Sequence, residues 1–566
     1  MFSIKRLSAI GRTYRHLNRY HQILRILFKY GFGDVLGRLH IAEYLEYSLR
    51  LFKPGLKKPL TRLSRPERLR MAFAELGPTF IKLGQLLSTR PDLIPTEFLQ
   101  ELAKLQDTAP PFALTAVRAI ILEELGQEPE GIFQFFDNEP MAAASIAQVH
   151  RARLDDGSEV VVKVLRPGIE RTIAIDLEII AHLAGLMDQH IQEIQGHNPV
   201  AVVHEFARSL SQEIDFSQEL ANVQRFAKQF AGKASIHVPK VYPELSTGRV
   251  LVMEHVAGIK SADIPALRAA GRDLPLVARR GAKLVMEQIF VHGFFHADPH
   301  PGNIFILPDN VVCFVDFGQM GRLSRQERED ITNLIVHLVS GNEREIVSGL
   351  LRVTNQLGEV NREALGRDLT RLIDLYLYRP LAGLNAGRII QELISLISRH
   401  RLSFKPEMYL MMKALSTVEG VGLMLDPKLE LIRLAKPFMR RISLNRFTPN
   451  RLAEDASYIS LAYARLLREA PEELRLILHQ LRRGQIRIEF EHRGIRQIAP
   501  DLHRIANLIA LAIVLAALIV GSSLIVLSGI PPRWHGIPLL GLIGFAISGV
   551  IGLRLIFSMI WTKDRL

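Results

Sequence analysis

The sequence predicts an α+β fold of two lobes, with a helical extension before it and a transmembrane helical hairpin after it. Three observations indicate this arrangement. Residues 147–165 have the strand, tight turn and strand pattern of a β-hairpin, and residues 296–318 place two aspartates and an asparagine beside short apolar runs. Residues 505–562 are dominated by long apolar stretches. A chain of 566 residues has room for several domains.

We expect six segments along the chain. The region from 325 to 500 is rich in helix-forming sequence and carries no recognisable chemistry beyond packing and basic charge. In chain order the segments are a basic membrane-surface helical segment (1–60), a helical extension (61–135), a small lobe with inserted helices (136–260), a large lobe (261–440), a basic helical linker (441–504) and two transmembrane helices (505–562).

The motif from His296 to Asn303 (His-Ala-Asp-Pro-His-Pro-Gly-Asn) is the most informative part of the chain, together with Asp316-Phe-Gly after the next apolar strand. A phosphoryl-transfer site of the protein-kinase type uses one aspartate to orient the nucleophile, and an asparagine and a second aspartate to hold Mg²⁺ against the nucleotide phosphates. Asp-Phe-Gly alone is commonly a turn, but the combined motif and its spacing favour the kinase-like interpretation. We therefore predict ATP and Mg²⁺ as cofactors, Asp298 as the catalytic residue, and Asn303 and Asp316 as the metal ligands.

Lys163 is predicted to contact the nucleotide phosphates. It lies in a Val-Val-Lys-Val strand whose β-branched residues imply burial, and a buried lysine requires a counter-charge. The short spacing usual in kinases suggests Glu178, whereas a later helix offers Glu219. In that helix Asp215 and Glu219 are four residues apart and share one face, while Glu213 points elsewhere. Spacing alone leaves the partner of Lys163 open between Glu178 and Glu219.

Two further segments are predicted to contact the nucleotide. The strand from Arg249 resembles the hinge that holds the adenine edge, and its candidate residues are Met253 as the gatekeeper, Glu254 and Val256. Where a kinase has a glycine-rich phosphate loop, this chain has Ala142, Ala143, Ala144 and Ser145. Alanine does not readily adopt the positive φ angles that glycine permits, so this loop cannot drape over phosphates in the same way. This difference, and the lack of an Ala-Pro-Glu sequence after Asp316-Phe-Gly, argue against routine phosphorylation of proteins.

The composition bears on the partners of the chain. A formal net charge of +13 raises nucleic acid as a partner. The sequence has no helix-turn-helix signature, no Cys/His finger spacing and no aromatic RNA-binding motif, so we expect no nucleic-acid partner. The basic residues concentrate at the N-terminus and beside the apolar C-terminal segments, which favours anionic membrane lipids. Cys313 is the only cysteine, which excludes an intrachain disulfide, and we expect it to be a packed thiol.

The C-terminal segment has two apolar stretches of the length needed to cross a bilayer. The first runs from Ile505 to Pro532 without a charged residue, and the second from about Ile537 to Ile560. A buried hairpin in a soluble core is the alternative, which the length of the first stretch disfavours. Glycines in the second stretch would allow close helix packing between spans or between copies: Gly541, Gly544, Gly549 and Gly552.

The charges beside this hairpin predict its orientation. The loop between the stretches has only Arg533. The outer flanks carry many more basic residues: Arg482, Arg483, Arg487, Arg493, Arg496, Arg504, Lys563 and Arg565. Because positive charge accumulates on the cytoplasmic side of membranes, the bulk of the protein is predicted to be cytoplasmic.

The first 39 residues are strongly basic and contain the single acid Asp34. No continuous apolar core follows the first charges, so this segment is not a secretory signal. A mitochondrial transit peptide is one interpretation of so few acids. We favour a basic surface helix that contacts the same membrane as the C-terminal hairpin.

Four elements of this chain together resemble the UbiB family of atypical kinase-like proteins. They are the Lys82-Leu-Gly-Gln85 helix, the alanine-rich loop, the acidic element that begins at Glu213, and the loop of residues 296–303. The resemblance covers about residues 65–321, and the C-terminal hairpin fits it more loosely. It implies a protein of the bacterial inner membrane that is needed for ubiquinone biosynthesis, with ATP or ADP, quinone-precursor lipids and other proteins of that pathway as partners.

The resemblance also implies roles for individual residues. The helix that carries Lys82 and Gln85 would fold over the catalytic cleft and occupy the place where a peptide substrate would dock. Lys82 would face Glu213 and Asp215. The resemblance thus adds four residues to Asp298 in the catalytic site: Lys82, Gln85, Glu213 and Asp215. The family pattern also favours Glu219 as the partner of Lys163.

The predicted activity is Mg²⁺-dependent ATP hydrolysis that is coupled to the handling of hydrophobic quinone precursors. Two alternatives stay open on the sequence. One is a true kinase that phosphorylates a lipid or a protein, and the other is a non-catalytic scaffold that uses the nucleotide only as a conformational ligand. No motif in the sequence identifies the phosphoryl acceptor, the quinone precursor or the oligomeric state.

Overall fold

The computed structural model describes residues 4–39, 63–90, 93–105, 109–191, 198–340, 342–356, 358, 360–377, 386–431, 433–435, 437–438, 475, 495–534 and 537–560. The chain forms two compact units, Met1–Glu454 and Asp455–Leu566. Apart from residue 475 and residues 495–504, the predicted basic linker (441–504) lies outside the described residues.

The first unit combines helices with short strands. Its helices are α1 (Ile4–Lys29), α2 (Gly33–Arg38), α3 (Arg65–Leu76), α4 (Pro78–Ser88), α5 (Thr96–Leu102), α6 (Leu114–Leu125), α7 (Pro129–Ile132), α8 (Ile169–His190), α9 (Pro199–Glu213), α10 (Phe216–Gln229), α11 (Ile264–Ala269), α12 (Leu274–Met286), α13 (Arg325–Ser340), α14 (Glu343–Val353), α15 (Arg362–Leu377), α16 (Ala386–Arg399) and α17 (Pro406–Leu425). Its strands are β1 (Phe135–Phe136), β2 (Ala142–Ala143), β3 (Ala147–Arg153), β4 (Glu159–Leu165), β5 (Ile236–His237), β6 (Val250–Glu254), β7 (Ile259–Lys260), β8 (Phe294–His296), β9 (Ile304–Leu307), β10 (Val311–Phe314), β11 (Met320–Arg322), β12 (Thr354–Gln356) and β13 (Leu402–Phe404).

The small lobe is an antiparallel sheet of order β1–β3–β4–β6, with β2 paired to the edge of β3. The predicted hairpin of β3 and β4 is confirmed, and Gly157 supplies the positive φ of 83° that its turn requires. Alternate residues of β4 point to opposite faces, so Val160, Val162 and Val164 are fully buried together. They pack with Ile121 of α6 in one apolar cluster. The valine face thus holds β4 in the core, and the opposite face of β4 carries Lys163.

The large lobe holds the acidic motifs at the ends of short strands. Four strands pair in the order β5–β10–β9–β7, and β8 pairs with β11. The loop that carries Asp298 and Asn303 connects β8 to β9, and Asp316 follows β10. Phe314 is fully buried within the core of this lobe. Cys313 is buried as well, which confirms the expected packed thiol.

The N-terminal helix α1 packs on the protein through part of its apolar surface, and membrane contact of residues 1–60 stays a prediction. Ile23, Ile26 and Tyr30 are buried in the same apolar cluster as Phe80 of α4. The Arg19 guanidinium also donates to both oxygens of Asp176 on α8, at 2.6 and 2.9 Å. Protein therefore covers part of the apolar surface between residues 17 and 39, whereas Leu17 and Phe28 are exposed. Residues 40–62 lie outside the described part of the chain.

The second unit contains a helical hairpin, α18 (Ile495–Ser528) and α19 (Leu539–Ile560), joined through β14 (Arg533–Trp534) and β15 (Ile537–Pro538). The stretch Ile509–Ser528 is long and apolar enough to cross a membrane and is only 6% buried. Helix α17 passes the same test of length and composition, but it is 56% buried in the core of the first unit. Gly541 and Gly544 allow the predicted close packing, because a Cβ at either would lie within 2.5 Å of α18 atoms.

Candidate active site

Lys163 lies at the centre of the candidate site, on the face of β4 opposite the valines. Its Nζ is 2.8 Å from Glu219 Oε2 and 3.4 Å from Asp316 Oδ1. The ring of Phe216 lies 5.2 Å from the ammonium. The Glu219 side chain is 4% exposed, whereas that of Asp316 is 53% exposed. Of the two candidates that the sequence left open, Glu219 and not Glu178 is the ion-pair partner of Lys163.

The charges of this cluster perturb one another. Burial works to lower the pKa of Lys163, but the carboxylates of Asp316 and Glu219 outweigh it and the pKa is raised. The ammonium of Lys163, and at longer range that of Lys82, lowers the pKa of Asp316. Lys163 is therefore charged and Asp316 ionised at neutral pH. Such strongly coupled groups are typical of functional sites.

The loop after β8 is tied to the strand that delivers Asp316. Asn303 Nδ2 donates to the Asp298 carbonyl at 3.4 Å, and the Asn303 carbonyl accepts from Val315 N at 2.9 Å. His296 is fully buried; its Nε2 donates to the Val315 carbonyl at 3.1 Å and its Nδ1 accepts from Asp298 N at 3.2 Å. Burial lowers the pKa of His296, which agrees with a neutral ring in these two bonds. The fold thus brings the predicted aspartates and asparagine together.

Helix α10 holds the Asp316-Phe-Gly segment in place. Asn222 Nδ2 donates to the Phe317 carbonyl at 3.0 Å, one turn after Glu219 on the same helix. Phe317 is fully buried. Asp316 has a φ of 62°, and Gly318 N donates to its Oδ1 at 3.4 Å. A non-glycine residue with positive φ is uncommon and persists where its surroundings fix it, as these contacts do.

The alanine-rich loop is a short strand and a tight turn. β2 pairs with β3, and Ala144 N donates to the Ala147 carbonyl at 2.8 Å. Arg166, which the sequence analysis missed, donates from Nε to the Ser145 carbonyl at 3.1 Å and from Nη2 to the Ala144 carbonyl at 3.2 Å. Ser145 is 1% exposed, and its Oγ has no hydrogen-bond partner in the described part of the chain. A buried hydroxyl of this kind fits a loop that receives a polar ligand.

The predicted hinge residues have different environments. Met253 on β6 is buried, as a gatekeeper would be. The Glu254 carboxylate accepts from His237 Nε2 and from Lys240 N, both at 2.9 Å, so this side chain holds the neighbouring segment. Val256 is half-buried, and its backbone N–H has no partner among the described residues. Of these residues, Val256 is the one that offers a free backbone donor to a bound base.

Helix α4 carries the predicted lysine, glycine and glutamine. Lys82, 9% exposed, forms an ion pair with Glu213 at the end of α9, as the resemblance implies. Gly84 permits close helix packing, because a Cβ there would lie 2.3 Å from Leu105 Cδ1. Gln85 Nε2 donates to the Leu105 carbonyl at 3.3 Å. This helix is therefore anchored by its polar residues and by the space that its glycine leaves.

The expectation of one helix through Glu213, Asp215 and Glu219 is wrong. Helix α9 ends at Glu213, and Asp215 is extended (φ −119°, ψ 99°) as the N-cap of α10. Its Oδ1 accepts from Ser217 N at 3.0 Å. Aspartate is favoured at this position because its short side chain satisfies one of the free amides that begin a helix. Asp215 thus starts the helix that positions Glu219, and the two do not share a helical face.

Two basic residues link this region to the helices after the large-lobe sheet. Lys413 of α17, which the sequence analysis missed, places Nζ 3.2 Å from Asp298 Oδ1. It is the one basic residue of an apolar helix, and that isolation is the signal that could have found it. Arg90, just after α4, lies 3.0 Å from Glu205 Oε2 of α9 and 4.6 Å from the ring centroid of Tyr409 on α17.

The oxygen donors suit Mg²⁺ held together with a nucleotide. No group of three or more His, Cys, Asp or Glu side chains that could hold a metal occurs among the described residues. Mg²⁺ prefers oxygen ligands and is usually held by one or two protein groups, with phosphates and water completing the shell. Asn303 and Asp316 offer such oxygen atoms, and the ionised state of Asp316 favours a cation.

Known families match most of this chain. An ABC1 atypical kinase-like domain matches residues 104–350, a UbiB helical domain matches residues 369–430, and an ABC1/UbiB kinase-like C-terminal domain matches residues 493–561. The first match contains the strands and loops of the candidate site. The second contains helices α16 and α17, and with them Lys413.

Similar proteins cover between 78% and 96% of this chain. A Clostridium pasteurianum protein described as "Uncharacterized protein in hydrogenase 1 5'region" is 31% identical over 96% of this chain and 98% of its own. The "Probable protein kinase UbiB" of Aeromonas salmonicida is 35% identical over 84% of this chain and 87% of its own. The protein of the same name from Pseudomonas putida is 35% identical over 78% of this chain and 82% of its own. With its kinase-like α+β fold, the chain belongs to the ABC1/UbiB family of atypical kinase-like proteins.

Proposed function

We propose that this protein is a membrane-anchored ATPase that binds Mg²⁺-ATP and takes part in ubiquinone biosynthesis. The observation that carries the proposal is the placement of Lys163 between the buried Glu219 and the half-exposed Asp316. A buried ion pair fixes the ammonium, and the second carboxylate faces a region that solvent and ligands can reach. This is the arrangement that nucleotide phosphates and a divalent cation require.

The residues divide the chemistry among them. Lys163 would bind phosphate oxygens, and the loop from Ala142 to Ser145 would lie beside them. Asn303 and Asp316 would hold Mg²⁺, which neutralises the charge that develops on the transferred phosphoryl group. Asp298 would orient the attacking water or hydroxyl and accept its proton. His296 would keep Asp298 in position through its bond to the backbone.

The membrane and pathway parts of the proposal rest on the hairpin and on the relatives. The Ile509–Ser528 stretch is long and apolar, and only 6% of it is buried within its unit, which supports insertion into a bilayer. The names of the UbiB relatives support a role in ubiquinone biosynthesis. The substrates would then be quinone precursors, apolar molecules handled at the cytoplasmic face of the inner membrane. Anionic lipids would bind the basic flanks of the hairpin.

The metal assignment is tested by nucleotide binding. Asp316→Asn removes one negative charge from the cation site, so affinity for Mg²⁺-ATP should fall at least about tenfold. Asp309→Asn is a matched control, because Asp309 is an exposed aspartate of the same lobe that also has a positive φ of 58°. Binding is measured with a fluorescent ATP analogue, with and without Mg²⁺. Equal affinities for the wild type and Asp316→Asn would reject the assignment.

The role of Asp298 is tested by turnover. Asp298→Ala should leave nucleotide affinity within about twofold and lower phosphate release by at least about a hundredfold, because a positioned base contributes that much. Phosphate release is followed together with transfer of label from γ-labelled ATP to protein and lipid. If labelled protein or lipid forms and its formation depends on Asp298, the activity is that of a kinase and not ATP hydrolysis. Unchanged phosphate release in Asp298→Ala would remove the residue from the chemistry.

A further inference from the structure

The catalytic loop, residues 296–303, brings a carboxylate to the candidate site without a lysine or arginine of its own. From Asp298 to the residue before Arg322 the sequence contains neither of these two cations. In its proposed role Asp298 lies next to the terminal phosphate of ATP, and two such anions repel each other. Mg²⁺ at Asn303 and Asp316 would offset part of this charge. A side-chain cation beside Asp298 has to come from another segment of the chain.

Lys413 of α17 is the lysine that the fold places beside Asp298. Its Nζ lies 3.2 Å from Asp298 Oδ1. Lys163, the other lysine of the site, is engaged by the carboxylates of Glu219 and Asp316. The two ammonium groups therefore serve different carboxylates, Lys163 at the Asp316 side of the site and Lys413 at the catalytic loop.

Helix α17 fixes the backbone from which the Lys413 side chain extends. The neighbouring residues Met412 and Ala414 are both buried in the apolar core of the large lobe. The Lys413 side chain is 26% exposed and that of Asp298 is 31% exposed, so water and ligands can reach the contact between them. Lys413 thus combines a fixed backbone with an ammonium that a substrate can touch.

The position of Asp298 sets how close Lys413 comes to the reacting atoms. A general base lies about 3 Å from the nucleophile whose proton it accepts, and the nucleophile approaches phosphorus from about 3–3.5 Å. An ammonium has three donors, so it can bind a carboxylate and a phosphoryl oxygen at the same time. From its place beside Asp298, the flexible side chain of Lys413 can reach an oxygen of the transferred group.

We propose that Lys413 is a catalytic residue for phosphoryl transfer, which donates a hydrogen bond to an oxygen of the transferred phosphoryl group. The inference rests on the proposed function and adds to it a cation from the helices that follow the large-lobe sheet. Its contact with Asp298 also offsets the repulsion between that carboxylate and the phosphates.

The chemical step needs no further reactant. The oxygen of the attacking water forms a bond to the γ-phosphorus, the bond from that phosphorus to the bridging oxygen of ADP breaks, and the proton of the water passes to Asp298. Negative charge is spread over the three outer oxygens of the phosphoryl group in the transition state. Lys413 transfers no proton, and its fixed positive charge stabilises that state.

Binding of a transition-state analogue tests this role without turnover. ADP with Mg²⁺ and aluminium fluoride imitates the phosphoryl group during transfer, whereas ADP with Mg²⁺ alone lacks that group. In full-length protein in phosphatidylcholine nanodiscs, Lys413→Met should lower affinity for the aluminium fluoride complex about a hundredfold, the usual effect of losing one fixed donor. Its affinity for Mg²⁺-ADP should stay within about twofold, because Lys413 touches only the transferred group.

Three companion variants separate the charge of Lys413 from its packing. Lys413→Arg keeps the charge and should lose at most about tenfold in analogue affinity. Lys413→Gln should lose as much as Lys413→Met, so the test does not depend on how one variant folds. Lys405→Met is the matched control, because Lys405 caps the same helix, is 34% exposed and lies 3.9 Å from Glu327 Oε1 outside the site. Both of its affinities should equal those of the wild type.

The outcomes separate this inference from the proposed function. If the wild type binds Mg²⁺-ADP and the variants at Lys413 bind the aluminium fluoride complex as tightly as it does, the inference is overturned and the proposed function stands. Equal losses for Mg²⁺-ADP and for the complex would overturn it too, because Lys413 would then hold the fold or the nucleotide. A wild type that binds neither ligand would reject the proposed function and, with it, the role of Lys413.

Discussion

Removing Lys163 should destabilise the protein through the carboxylate that it leaves behind. Glu219 is 4% exposed and makes contacts of 2.8 and 3.1 Å with the ammonium, so Lys163→Met buries a charge without its partner. Breaking a buried ion pair in this way costs about 3–5 kcal/mol. At about 2–4 °C per kcal/mol for a domain of this size, the unfolding midpoint should fall by about 6–20 °C.

Adding Glu219→Leu to Lys163→Met distinguishes the cost of an unpaired buried charge from the cost of lost packing. Replacing a buried pair by apolar residues of similar volume is often neutral, so the double variant should recover most of the midpoint. Neither variant should bind Mg²⁺-ATP, because both lack the phosphate-binding lysine. The midpoint is measured by differential scanning fluorimetry in a mild detergent.

An exposed ion pair provides the control for this comparison. Lys29 and Glu75 are 2.7 Å apart, but their side chains are 47% and 36% exposed. Surface pairs contribute about 0–1 kcal/mol, so Lys29→Met should move the midpoint by no more than about 4 °C. A double variant at Lys163 and Glu219 that is as unstable as the single one would refute the reasoning, because the cost would then come from packing and not from charge.

Three further predictions concern other parts of the fold. Lys82→Met should cost about 3 kcal/mol by leaving Glu213 without this partner, and limited proteolysis should then cleave the extension faster than in Lys82→Arg. Burial lowers the pKa of His150 in the folded state, so only the unfolded state binds a proton at this residue as the pH decreases below about 6.5, and the free energy of unfolding decreases. In urea unfolding, His150→Gln should reduce the slope of this free energy against pH by up to about 1.4 kcal/mol per pH unit. Gly544→Leu should destabilise the C-terminal hairpin by about 1–3 kcal/mol, because a Cβ there would lie 2.1 Å from a serine oxygen of α18. Gly549 faces open space, so Gly549→Leu should behave as the wild type when protease protection of the reconstituted variants is compared.

The sequence predicted the features that depend on short segments. The β3–β4 hairpin follows from two strand-forming runs on either side of the turn that contains Gly157, and the loop before Asn303 follows from motif residues a few positions apart. Local backbone geometry constrains residues that are so close in the chain, so their spacing is enough to predict the structure of the segment. Spacing could not identify the ion-pair partner of Lys163, because both Glu178 and Glu219 were compatible with it. The fold decides between them and places Glu219 beside Lys163.

The features that sequence reasoning missed depend on contacts between distant segments. The sequence analysis assigned no protein contact to α1, yet Ile23 and Tyr30 pack against the protein. Asp215 was assigned to a helix because its spacing to Glu219 is helical, yet a helix can begin at such a residue as well as contain it. Lys413 approaches Asp298 only because α17 packs beside the catalytic loop.

Arg90 gives the helical extension a mechanical role. Its guanidinium touches Glu205 on α9 and the aromatic face of Tyr409 on α17, so one side chain spans elements from both halves of the kinase-like fold. If the halves swung apart, this cation would lose one of its neighbours. We therefore expect the two halves to move together and nucleotide exchange to proceed through loop motion. A cleft that does not open widely suits small apolar molecules better than folded polypeptides.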